Sequence, residues 1–259
     1  MKDKKSDPYA QTVAFYGLVG MFSFIVAIFH GGFHYQMSLN QLPFFLLLTV
    51  FATIPPILVF KAIKVIESSE SSILLSSSRL WIVIGAFIFL QEAFSVQKII
   101  GTIVILLGIA IAQYRKKKFV INQGVVLLLL AALSYAIADI ISFNILRSFD
   151  AISFNVYLAL FTVIPLMIIK PHAIQKLSFY LKPKYAFNIV TVTILDTTAS
   201  LLLYFAYQTG HNASQIAPIM ATQTILSVLL AILILKETNH LANKVIGAVI
   251  VVGGLLLVV

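Results

Sequence analysis

The stretch Leu90 to Gly108, LQEAFSVQKIIGTIVILLG, returns near the C-terminus as Leu235 to Gly254, LKETNHLANKVIGAVIVVGG. Glu92 matches Glu237, Lys98 matches Lys244, Gly101 matches Gly247 and Gly108 matches Gly254. The offset is 145 residues before the short loop and 146 after it, so one extra loop residue accounts for the difference. A chain that repeats itself across more than half its length reads as two copies of one unit. Where such copies lie in a membrane, a binding site is expected between them.

The membrane follows from charge scarcity. Charged residues make up 10% of the chain, and the mean hydropathy is +1.02. A soluble domain carries about 25% charge. This chain cannot cover a surface facing water, so lipid is its solvent. Nine apolar segments of near-spanning length run over 11–31, 40–60, 71–91, 96–113, 120–146, 151–169, 186–206, 213–235 and 241–259. None shows the strict alternation of a barrel strand, so the expected fold class is an all-α polytopic membrane protein. The polar opening MKDKKSDPYA carries no signal-peptide pattern, and the run after it reads as a first span. The net charge of +9 does not indicate nucleic acid, because almost all the charges fall in short gaps between apolar runs.

Those gaps set an orientation. Fifteen Lys and Arg residues, from Lys2 to Lys244, fall on one side of the membrane and only Lys98 and Arg147 on the other. The positive-inside rule then predicts a cytoplasmic N-terminus and an external C-terminus in a cell (inner) membrane. Residues 1–118 form a first repeat of four helices and residues 119–259 a second of five. Asp7-Pro8 aligns with Asp150-Ala151 at the turn between the second repeat's first two helices, so the first repeat lacks an opening helix. A nine-span protein and a chain that starts downstream of an ancestral beginning both satisfy this alignment. A five-helix unit reverses direction across the membrane, which sets the second copy inverted to the first.

The two segments LQEAFSVQKIIG…G and LKETNHLANKVIG…G resemble the EamA family of the drug/metabolite transporter superfamily. The resemblance covers nearly the whole chain. It implies two inverted five-helix repeats, each ending in an apolar helix, a Glu-bearing turn and a glycine-bearing final helix. It also implies export or exchange of small polar metabolites or drugs by alternating access. The missing opening helix and the external C-terminus depart from the usual ten-helix form.

Charge at membrane depth marks candidate sites, because an Asp or Arg at mid-span costs about 2.5–3.5 kcal/mol on insertion scales. Arg79 lies at the middle of 71–91, Asp196 at the middle of 186–206, and Asp139 near the outer end of its helix. In the functional reading Arg79 binds an anionic group, while Asp196 binds a cationic group or a proton. A zwitterion such as an amino acid satisfies both. In the structural reading Arg79 is permanently paired with Asp196 or Asp139. Polar stripes add Gln215, Gln223, Tyr204 and Ser76 as lining candidates, against the alternative of helix–helix hydrogen bonding. The matched glycines suit helix packing, and Glu92 and Glu237 suit helix caps.

No catalytic residue, metal-ligand spacing, cofactor motif or phosphate loop stands out, and cysteine is absent. The reading is therefore a secondary transporter and not an enzyme. Amino-acid-like or amine solutes are favoured, with a proton as coupling candidate and the lipid bilayer as surroundings. A homodimer is left open. The alternative is a non-transporting structural or assembly subunit of a membrane complex, which the buried charges disfavour.

Overall fold

The computed structural model describes residues 7–34, 37–90, 96–115, 118–119, 121–180, 182–210, 216, 220, 223–236 and 240–258. The chain is helical: α1 (Pro8–Phe29), α2 (Leu42–Ala62), α3 (Ser68–Leu75), α4 (Ser77–Leu90), α5 (Val96–Gln113), α6 (Gln123–Leu146), α7 (Ala151–Ile169), α8 (His172–Gln175), α9 (Pro183–Gly210), α10 (Gln223–Leu235) and α11 (Leu241–Val258). The exception is a two-residue antiparallel pair, β1 (Tyr114–Arg115) with β2 (Lys118–Phe119), which turns the chain between α5 and α6. Helices satisfy every backbone donor within one segment, which hydrocarbon requires. Among the described residues, six helices are long and apolar enough to cross a membrane. They start at Pro8, Leu42, Ser68 (α3 and α4 together, to Phe89), Gln123, Ala151 and Tyr185, while α10 and α11 carry shorter apolar stretches. Two expected boundaries differ in kind. The segment 71–91 is interrupted at Ser76, and much of 213–222 lies outside the described residues.

The helices group into two compact units, Met1–Phe60 with Ile141–His211, and Lys61–Ile140 with Asn212–Val259. Each unit draws on both halves of the chain.

In the first unit α1 packs along α7 and touches α9. Ala10, Val13, Leu166, Ala173, Tyr180 and Ile189 form a buried cluster. Phe45 of α2 sits within 5.5–5.8 Å of the rings of Phe149, Phe154, Tyr157 and Phe161. The aligned aspartates do the same job in both copies. Asp7 caps α1 by accepting from the amides of Tyr9 and Ala10, and Asp150 caps α7 by accepting from that of Ser153. Asp7 also pairs with Lys176 at 2.7 Å. Partial burial raises its pKa, but the Lys176 contact and the two α1 amides outweigh that, so the carboxyl titrates below the ordinary 3.8.

In the second unit the most extensive packing joins α5 to α11. A Cβ on Gly108 would lie 2.7 Å from the Val251 amide nitrogen and 2.8 Å from the Gly247 carbonyl oxygen. A Cβ on Gly254 would lie 2.8 Å from both the Gly101 carbonyl oxygen and the Ile105 amide nitrogen. The offset of 146 that matches the glycines also matches Ile105 with Val251. The two contacts are therefore copies of each other with the helices exchanged, as a twofold relation requires. Ile73, Val83, Val228 and Leu255 belong to the core around them.

Gly108→Ala and Gly254→Ala push methyls into backbone and are expected to cost about 1–3 kcal/mol each. Gly253→Ala, with nothing within 4 Å, is expected to be silent. Thermal unfolding in detergent reads all three. For Asp7 the lowered pKa fixes the sign of the pH dependence. Its contribution is complete above the unfolded value near 3.8 and is lost as pH falls through the lower folded value. Asp7→Asn should flatten that acid limb while keeping the cap, whereas Asp7→Ala should also lose about 1 kcal/mol at neutral pH.

Candidate functional site

The interruption at Ser76 positions the first candidate. Serine hydroxyls compete with the backbone for helix carbonyls. Ser76 Oγ donates to the Ile73 carbonyl at 2.6 Å and Ser77 Oγ to that of Leu74 at 2.7 Å. The Arg79 amide bonds the Ser76 carbonyl, three residues back rather than four. A new helix, α4, therefore begins at Ser77 and carries Arg79 in its first turn.

Arg79 Nη1 contacts Asp139 Oδ2 of α6 at 3.4 Å, with side-chain exposures of 12% and 22%. Of the two pairings left open by the sequence, this is the one present within the second unit. It also accounts for Asp139, which is not directed outward to the membrane surface. The contact is long for a charge-assisted bond, which runs about 2.7–2.9 Å. A guanidinium has five N–H donors. Among the described residues Asp139 is the only group that hydrogen-bonds this one.

Asp196 belongs to the first unit, near the middle of α9. It is exposed and makes no hydrogen bond or ion pair among the described residues. On the same helix Thr193 and Thr197 are buried, and the Thr197 hydroxyl finds no partner among the described residues. Two and three turns further along α9 the helix enters packed aromatics. Tyr204 stands edge-on to Phe154 at 4.9 Å and Tyr207 edge-on to Phe143 at 5.5 Å. Ser76 is buried with its hydroxyl engaged by its own helix, and Gln223 is exposed at the start of α10. Gln215, Glu92 and Glu237 lie outside the described residues.

Sequence reasoning missed a second buried charge in the second unit. Lys244, counted with the surface lysines, is 2% exposed and pairs with Glu67, which precedes α3. Glu70 is buried one turn along. The recurrence of Lys98 as Lys244 was the available signal. Also missed was a buried link in the first unit, where Asn155 Nδ2 of α7 donates to Ser23 Oγ of α1 at 3.0 Å. An apolar groove of about 330 Å³ between α1 and α7, bordered by Tyr16, Gly20, Phe24 and Val163, contains no charged side chain. Among the described residues no group of three acidic, His or Cys side chains is placed to hold a metal ion.

The sequence profile of the EamA-like transporter family matches residues 4–114 and again 122–259. One solved crystal structure is similar to the chain with a TM-score of 0.67 and 14% identity, covering 98% of this chain and 88% of that one. That likeness is one of fold. No curated protein matches the sequence.

The pairing at Arg79 makes a stability prediction. Arg79→Gln leaves the Asp139 carboxylate without its cation and is expected to cost about 3 kcal/mol. Adding Asp139→Asn should restore most of that loss. Equal melting temperatures for the single and double variants would contradict the pairing.

Proposed function

The chain belongs to the EamA-like transporter family, and on that premise we propose that it is a secondary transporter of small polar solutes working by alternating access. Amino-acid-like or amine solutes are favoured, for export or exchange. Arg79 binds an anionic group of the solute, and Asp196 binds a cationic group or a coupling proton. Asp139 holds Arg79 in place when no solute is bound, and Gln223 is a further lining candidate. Residues 1–118 and 119–259 are the two inverted repeats, with the N-terminus cytoplasmic and the C-terminus outside.

The observation that carries this reading is the guanidinium of Arg79. It lies in the first turn of a helix that begins at membrane depth, bound by a single long contact. Interrupted helices whose positive ends meet anionic solute groups are a recurring device of secondary transporters. A purely structural pair gains from tight bidentate closure, which this contact lacks. Asp196 supports the cationic half of the reading, since an accessible carboxylate in mid-helix is costly unless it is used.

The test is reconstitution in liposomes with a panel of labelled amino acids, nucleotides and amines. Replacing the guanidinium removes a charge-assisted bond worth about 1.5–3 kcal/mol, so Arg79→Gln should weaken uptake of carboxylate-bearing solutes by about ten-fold or more. Asp196→Asn should abolish dependence on a proton gradient. Uptake that survives both substitutions unchanged would remove this site.

A further inference from the structure

The link between α7 and α9 is the most basic part of the first unit. From Ala151 to Leu195 the sequence holds four lysines and no acidic residue. The link is built, not loose. It contains α8 and a 3₁₀ turn, Lys176–Phe179, and its Ala173 and Tyr180 are buried in the same cluster as Ala10 and Val13 of α1. Phe179 stacks on Tyr185 at 4.3 Å and meets Tyr180 edge-on at 5.2 Å. Tyr180 OH donates to the Asp7 carbonyl at 3.2 Å.

The lysines of this link are treated unequally. Lys176 is neutralised by Asp7. Lys170 and Lys182 have no carboxylate partner among the described residues and lie instead over aromatic rings. Lys170 Nζ is 5.6 Å from the Tyr9 centroid, and Lys182 Nζ is 5.8 Å from that of Phe179. A ring holds an ammonium in place through its quadrupole and leaves the three N–H donors available. Beside these cations Ile168, Ile169, Ile174 and Phe187 are exposed. Fixed cations with open donors, next to exposed aliphatic and aromatic surface at a helix end, match a molecule with an anionic head and a hydrocarbon body.

We propose that the α7–α9 link is a docking surface for anionic phospholipid, with Lys170 and Lys182 each offering an ammonium to the anionic headgroup region and the apolar ends of α7 and α9 meeting the acyl chains. The aromatic rings make this a positioned site rather than a diffuse positive surface.

The full chain is reconstituted in phosphatidylcholine vesicles doped with phosphatidylglycerol, and lipid retained on the protein is read by native mass spectrometry. A lysine near an anionic surface contributes about five-fold in binding, so Lys170→Gln with Lys182→Gln should lower phosphatidylglycerol retention about twenty-five-fold. Lys236→Gln, an exposed lysine elsewhere, should leave retention unchanged. Tyr9→Leu with Phe179→Leu keeps both charges and should still lower retention several-fold. Full retention in the lysine variant, or in the ring variant, would overturn the proposal. So would equal loss in Lys236→Gln, or displacement of the lipid by inorganic phosphate.

Discussion

The approach of α5 to α11 through Gly108 and Gly254 is the contact on which the second unit depends. Lipid is as apolar as leucine, so helices in a bilayer gain nothing by hiding apolar side chains from it and must associate by close fit. Glycine allows that fit by letting backbone meet backbone, at distances a methyl cannot tolerate. Once α11 is drawn against α5, Val251 and Leu255 join the core with Ile73 and Val83. Lys244, near the start of the same helix, is drawn to Glu67.

The second unit holds two buried or nearly buried cations, Lys244 and Arg79, each paired with a partly exposed carboxylate. Lys244 is almost sealed and pairs with Glu67, which is how a buried charge is made tolerable. Arg79 is nearly as deep but meets Asp139 through one long contact. The serine run interrupts the hydrogen-bond register just before Arg79.

Much of this was legible in the sequence because symmetry leaves paired traces. The matched glycines pointed to the α5–α11 contact, and the aligned Asp7 and Asp150 turned out to be caps of α1 and α7. Family membership and the multi-pass fold were legible for the same reason. The partner of Arg79 was not, because hydropathy gives the depth of a residue but not the rotation of its helix. Asp139 and Asp196 were therefore equally eligible. Lys244 was misjudged because counting charges by side assumes that lysines near helix ends reach water. The break at Ser76 was missed because a serine-rich stretch in an apolar run keeps its hydropathy while losing its hydrogen-bond register.

That each compact unit draws on both halves of the chain has a consequence for how the protein is made. When the ribosome has delivered α1 to α5, the surfaces of α1 and α5 that will bear on α7 and α11 are still without their partners. The glycine face of α5 must wait through some 146 further residues before its counterpart emerges. Contacts so far apart in sequence close late, because the intervening loop entropy must be overcome first. Neither half is a finished folding unit, and biogenesis is a race between the arrival of the second half and the pairing of the first half's open faces with a stranger.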